Sequence, residues 1–220
     1  KVIDFCEKFK LRLVHISTLS ISGNVFADSS YVENNFTDKV NYYETNYYIG
    51  QNLDNIYIKT KFESEHIVLE AIQNGLEAYI KRIGNLTNRF SDGGFQHNFS
   101  ENAFVNRLKS VLEIKCIPDY LLDLYTEFTP VDYCANAIIK LATHYNKKYT
   151  VFHIFNDNHI TLSRLYDIFK ELGISLKTKT NEEFIKYTKK LLNDPEKKKY
   201  LDGIINDLDD NYKLEYDSTS

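Results

Sequence analysis

Apolar positions along the chain switch repeatedly between two spacings. Leu11-Arg-Leu-Val-His-Ile16 alternates into a β-branched, apolar run that predicts a buried strand. Residues 78–83 and 151–156 predict two more short buried strands. Around them the period lengthens. Residues 1–9 read as a helix feeding the first strand. Ile67, Val68 and Ala71 recur at helical spacing, and residues 131–144 predict a further helix, with Thr129 at its N-cap, Pro130 at its first position and Asp132 in its first turn. From Thr161 the pattern is helical throughout. Leu162, Leu165, Ile168, Phe169 and Leu172 recur at three and four residues, and Gly173 closes the run as a C′ residue. Residues 184–192 and 200–208 predict two more amphipathic helices, and the polar tail 209–220 is expected to fray.

Chemistry gathers at two places in this pattern. The first predicted strand stops at Ser17-Thr18-Leu-Ser20-Ile-Ser22-Gly23, a hydroxyl-rich turn closed by glycine. Hydroxyls at the carboxyl end of a strand in an α/β sheet lie where such folds bind ligands. Ser20 and Ser22 read as local capping groups, whereas Thr18 is a candidate ligand contact. Further on, Asn55-Ile-Tyr57-Ile-Lys-Thr-Lys61 places a tyrosine and a lysine four residues apart at the head of a helical segment. Residues at i and i+4 share one helix face. An ammonium beside a phenol favours the phenolate, which makes the tyrosine a usable acid/base near neutral pH.

A strand ending in Ser-Thr, then a loop, then a helix opening Tyr-x-x-x-Lys resembles the extended branch of the short-chain dehydrogenase/reductase family. Later segments narrow the likeness: Lys81-Arg-Ile-Gly84-Asn85-Leu86-Thr-Asn88-Arg89-Phe-Ser-Asp-Gly-Gly-Phe95-Gln96, then Glu101-Asn-Ala-Phe104, Glu127-Phe-Thr-Pro-Val-Asp-Tyr-Cys-Ala135 and Val151-Phe-His-Ile-Phe-Asn156. In this order they look like the thioester reductase domains at the C-terminus of non-ribosomal peptide synthetases, relatives of fatty acyl and carboxylic acid reductases. The likeness covers about residues 11 to 190. It implies an α/β fold, the C-terminal half of a doubly wound Rossmann-type parallel sheet with a small, mainly helical substrate-binding subdomain. It also implies an insertion around residues 28–49, because Thr18 and Tyr57 lie far apart for the family.

The resemblance assigns roles residue by residue. Thr18 orients the substrate carbonyl, Tyr57 is the acid/base, and Lys61 binds the nicotinamide ribose while tuning Tyr57. Gly84, Asn85 and Leu86 flank the nicotinamide. Asn88, Arg89, Phe95 and Gln96 border the acyl or phosphopantetheine channel; Arg89 equally suits a surface ion pair and Phe95 a loop anchor. The implied reaction is NADPH-dependent reductive release, as an aldehyde or onward to an alcohol, of an acyl or peptidyl thioester held on a carrier protein's phosphopantetheine arm. Alternatives are a free-standing fatty acyl or carboxylic acid reductase, a sugar-nucleotide epimerase of the same branch, and a non-catalytic dinucleotide-binding module.

Composition limits the other classes. A net charge of −4 argues against a nucleic-acid platform, which is normally basic. Lys197-Lys-Lys199 follows Asp194 and Glu196 and reads as a solvated helix start. No apolar stretch approaches the roughly 18 residues of a membrane span, and no signal peptide opens the chain; a cytoplasmic setting is expected. Three widely spaced cysteines fit reduced thiols better than a disulfide framework or a zinc site, and six histidines without paired spacing predict no metal. His15 reads as packed within its strand.

Two absences bear on organisation. The chain contains no methionine, and its eight glycines cannot be spaced as Gly-x-Gly-x-x-Gly, the turn that brings a helix N-terminus to a dinucleotide pyrophosphate. The expectation is a piece of a larger multidomain chain, lacking the first Rossmann half and inactive alone. Residues 1–156 would be the C-terminal part of the NAD(P)-binding domain, with a substrate-side excursion at 92–123, and residues 157–220 the helical subdomain.

Overall fold

The computed structural model describes residues 1–23, 42–98, 102–144, 146 and 148–204. The expected insertion at 28–49 lies outside the described residues up to residue 41, as do the end of the predicted helix 200–208 and the whole tail. The described residues divide into two compact units, Lys1–Asp92 with Phe128–Asp157, and Gly93–Glu127 with residues 158–204. The segment read from the sequence as an excursion at 92–123 therefore packs with the second unit almost entirely.

The first unit is built on parallel strands β1 (Leu13–Thr18), β2 (Ala78–Ile83) and β7 (Val151–Ile154), in the order β1-β2-β7. Leu13 pairs with Ala78 and Thr18 with Ile83, while Ile80 pairs with Val151 and Ile83 with Ile154. The three carboxyl ends are thus level. Helix α1 (Val2–Phe9) ends at Lys10 in the left-handed region, φ 53°, and the Leu11 N–H returns to the Cys6 carbonyl at 2.8 Å. That cap consumes the start of the run read as a strand at 11–16. The strand accordingly begins at Leu13 and extends to Thr18.

Helix α2 (Ile56–Gln73) covers one face of the sheet. Val68 and Ala71 join Cys6, Leu76, Ala78 and Ile80 in a buried cluster. Ile67 faces out, 55% exposed, so the buried stripe is narrower than the apolar spacing suggested. Helix α4 (Val131–Thr143) packs Cys134, Ala137, Ile138 and Leu141 against Ile83 and Ile154.

The expected cap of that helix is wrong by one residue. Pro130 is the N-cap, and Thr129 belongs to the short strand β6 (Thr129–Pro130), parallel to β3 (Leu86–Thr87). Thr129 donates its N–H to the Asn85 carbonyl, and its Oγ1 accepts from the Asn156 N–H. A threonine committed to a ladder and a cross-link is not available as a cap.

The second unit holds α3 (Ala103–Ile114), β4 (Cys116–Pro118), β5 (Tyr125–Thr126), β8 (Ile160–Thr161), α5 (Leu162–Glu171), β9 (Lys177–Lys179) and α6 (Asn181–Leu192). Thr161 caps α5 through the Arg164 N–H, and Gly173 follows the helix at φ 78°. Thr180 and Glu183 form a reciprocal capping box on α6. The unit's core is two buried clusters, Ile114, Cys116, Phe184, Leu191, Leu201 and Ile204 in one and Ile117, Leu121 and Leu162 in the other. A single 3₁₀ turn, Lys198–Leu201, stands where the pattern predicted the start of a helix at 200. Lys197 pairs with Asp194 at 3.0 Å in solvent, as a solvated charge run should.

Candidate functional site at the strand ends

The hydroxyl turn after β1 is a short 3₁₀ helix, Leu19–Ser22, closed by Gly23 at φ 66°. Leu19 and Ile21 are buried and pull the turn onto the core. Thr18 is its N-cap. The Thr18 Oγ1 accepts from the Ser20 N–H at 3.1 Å and donates to the Ser20 Oγ at 3.1 Å. The local capping role expected of Ser20 thus falls on Thr18. A hydroxyl has one proton and two lone pairs and rotates about its C–O bond. Thr18 can keep the backbone contact and redirect its proton to an oxygen placed before it.

Asn55 starts α2 at the right height. Its Oδ1 accepts from the Tyr57 and Ile58 N–H groups at 2.9 and 3.2 Å, satisfying two donors that the helix leaves open. Tyr57 sits in that first turn, 55% exposed, and its phenol makes no hydrogen bond among the described residues. One turn later, Lys61 donates from Nζ to the Ile16 carbonyl at 3.2 Å. This bond crosses from helix to strand two residues before Thr18. An ammonium has three donors, so the bond leaves two to engage neighbouring hydroxyls. That donor set fits a vicinal diol such as a ribose.

Gly84, Asn85 and Leu86 continue directly from β2, beside the Thr18–Ile83 pair. The Gly84 N–H is held by the Ile154 carbonyl at 3.0 Å, so the segment is clamped to β7 as well as to β6. Leu86 is 40% exposed. Thr18, Lys61 and the Gly84–Leu86 segment therefore belong to one end of one sheet.

Of the four candidates for the acyl channel, Asn88 and Arg89 lie exposed in the first unit and Phe95 and Gln96 in the second. Arg89 forks onto Asp92, with both contacts at 2.8 Å, the surface ion pair that its alternative reading anticipated. Phe95 is half-buried, and Gln96 donates to the Asn98 carbonyl at 3.3 Å. Asp132 organises the loop that follows Arg89. Its carboxylate accepts from the Phe90 and Ser91 N–H groups at 3.0 and 3.1 Å, and those bonds hold it below the usual carboxylate range. Phe90 and Tyr133, both well exposed, meet edge to face at 5.4 Å.

Sequence reasoning missed a buried polar layer beneath α2. Glu65 and Arg82 are both essentially inaccessible and form a forked pair, with Arg82 Nη2 and Nε reaching Glu65 Oε2 at 2.9 and 3.2 Å. Arg82 Nη1 lies 3.3 Å from His153 Nε2, and the Tyr42 ring covers the guanidinium at 5.1 Å. Burial, then Arg82, lowers His153 to about 4; burial raises Tyr42 to about 12. The available signal was the spacing 57, 61, 65, together with two adjacent cations, Lys81 and Arg82, inside a buried strand. On the opposite face Lys81 is fully buried, with Nζ 3.6 Å from the Phe152 ring centroid and 4.2 Å from that of Tyr79. Burial lowers its ammonium to about 8, against the attraction of Glu44. His15 is half-buried, its Nε2 enclosed without a hydrogen-bond partner among the described residues, and burial lowers its pKa.

Among the described residues no group of three or more histidine, cysteine or acidic side chains could hold a metal ion, and no helix is long and apolar enough to cross a membrane.

A level-ended parallel sheet flanked by helices, with a threonine, a lysine and a glycine segment at its carboxyl edge, is a Rossmann-type arrangement for a dinucleotide. Residues 1–138 match the NAD-binding family described as "Male sterility protein", and the chain belongs to that family. Its curated relatives include the glycine betaine reductase ATRR of Emericella nidulans, 29% identical over 117 residues, which are 53% of this chain and 9% of that protein. A linear gramicidin synthase subunit of Brevibacillus parabrevis is 26% identical over 129 residues, 59% of this chain and 2% of that one. The thiolation-reductase di-domain of an archaeal non-ribosomal peptide synthetase superposes with a TM-score of 0.79 at 28% identity, covering 99% of this chain and 45% of that one. The chain thus spans less than a tenth of the curated relatives and under half of that solved structure.

Proposed function

We propose that this chain supplies the acid/base end of an NADPH-dependent thioester reductase, acting on an acyl or peptidyl group carried on phosphopantetheine. The observation that carries the reading is the bond from Lys61 Nζ to the Ile16 carbonyl. It fixes the lysine, and with it the helix face bearing Tyr57, at the strand end where Thr18 lies. The similarity to a thiolation-reductase di-domain and to a gramicidin synthase subunit supports a carrier-bound substrate.

NADPH, when bound, supplies the hydride. Lys61 holds ribose hydroxyls with its remaining donors, and Gly84–Leu86 bounds the nicotinamide. The Thr18 hydroxyl and the Tyr57 phenol donate to the thioester oxygen as negative charge develops on it. Tyr57 passes its proton to that oxygen and is reprotonated from solvent. The resulting hemithioacetal loses the thiol, giving an aldehyde, the free carrier arm and NADP. Asn88, Arg89, Phe95 and Gln96 are the side chains assigned to the acyl arm in this reading.

A second reading, reduction of a small activated carboxylate, draws on the similarity to the glycine betaine reductase. The same assay separates the two. The full-length protein is given NADPH with an acyl-pantetheine thioester or with a small acyl thioester, alongside Tyr57→Phe and Lys61→Ala. Tyr57→Phe is expected to lose roughly 10²–10⁴-fold in kcat, and Lys61→Ala to raise the KM for NADPH as well. Undiminished NADPH oxidation in Tyr57→Phe overturns the acid/base assignment.

A further inference from the structure

We infer that the buried Glu65–Arg82 pair is a positioning clamp for the reaction, locking the acid/base helix to the strand that delivers the nicotinamide-flanking segment. The inference rests on the functional reading above and names residues that the reading does not use.

Glu65 lies four residues after Lys61 and eight after Tyr57, so all three occupy one face of α2. Its partner is on β2, two residues before Gly84. A single forked ion pair therefore spans the two segments whose relative position decides whether phenol, ammonium and nicotinamide meet. The geometry admits little slack. Both side chains are essentially inaccessible, the fork makes contacts of 2.9 and 3.2 Å, and a planar fork fixes angle as well as distance. Neighbours hold the guanidinium in turn. Tyr42 lies over it, His153 Nε2 faces Nη1, and the backbone N–H of His153 donates to Glu44 Oε1 at 2.8 Å.

A fold that needed only packing at this layer would be served by apolar side chains, because a buried pair gains little over them. The distinction can be measured. Glu65→Gln keeps an acceptor but removes the charge. The double replacement Glu65→Leu with Arg82→Met fills the layer without a directional contact and keeps the test available if the single variant folds poorly. Each is made in the full-length protein and compared with wild type by thermal melting, by steady-state kinetics against pH, and by hydrogen exchange of residues 57–61 and 84–86.

The double variant is expected to melt near wild type yet lose roughly tenfold or more in kcat, with the NADPH KM changed much less. Its pH–rate profile should shift, and exchange should quicken at 57–61 and 84–86 beyond any global change. Glu65→Gln should fall between it and wild type. A folded double variant with wild-type kcat, pH profile and local exchange overturns the clamp. If the wild-type enzyme fails to reduce thioesters, or Tyr57→Phe is fully active, the functional reading fails instead. Local exchange at 57–61 and 84–86 then still decides whether the pair holds the two segments together.

Discussion

Individual side chains in the first unit depart from their solution behaviour because the sheet buries polar groups beside one another. His153 is the case with a consequence for stability. Burial and the neighbouring Arg82 guanidinium disfavour its protonation, lowering it to about 4, while in an unfolded chain it takes a proton below about pH 6.5. Between those values the unfolded state binds more protons than the folded one, so folding stability falls as pH drops through that window and is complete above it. His153→Gln should flatten this dependence; chemical melts at pH values on either side of the window compare the slopes. An unchanged slope would show that the ring is hydrated in solution. Cys116 illustrates the opposite effect on a thiol, raised to about 11 by burial and therefore unreactive. The spacing 57, 61, 65 hinted at a polar face, but the partners were not legible, because Arg82 meets His153 through strand register and Glu65 reaches Arg82 from α2.

At the scale of elements, α2 is held by polar contacts at its start and middle and by apolar ones towards its C-terminal end. Asn55 secures the first turn, the Glu65–Arg82 pair the third, and Val68 with Ala71 the turns after it. Asn55→Ala removes the acceptor for two N–H groups and should cost about 1 kcal/mol. Because Tyr57 lies in the turn it frees, activity should fall more than that loss of stability explains; melting and kinetics on the same preparation check this. Equal activity would mean that the first turn holds without its cap. Strand and helix types were legible in the alternation of apolar spacing, and β2 matched its predicted bounds. Boundaries were less legible where a cap competed. The left-handed Lys10 moved the start of β1, and the β3–β6 ladder took Thr129 from α4. Neither competitor has a local signature, since each depends on a partner that arrives from elsewhere in the chain.

For the whole molecule, the division into two units brings Gly93–Glu127 together with the C-terminal segment, a pairing written into no local pattern. Each unit has its own core, and the three cysteines report on both: Cys6 and Cys134 in the first, Cys116 in the second, all buried and none in a disulfide. Alkylation followed by peptide mapping should leave all three unmodified under native conditions and label all three in denaturant. Rapid native labelling of Cys134 would contradict the packing of α4 on the sheet. The sequence by itself determined the type and order of the three sheet strands β1, β2 and β7 and of helices α1, α2, α4, α5 and α6, the Tyr57–Lys61 face and the hydroxyl turn, because periods of two and of about 3.6 and the i, i+4 spacing are properties of local backbone geometry. Tertiary structure alone decided that Lys61 reaches the Ile16 carbonyl and that Glu65 meets Arg82. Each contact joins α2 to a strand remote in sequence, and so forms only when helix and sheet have packed together.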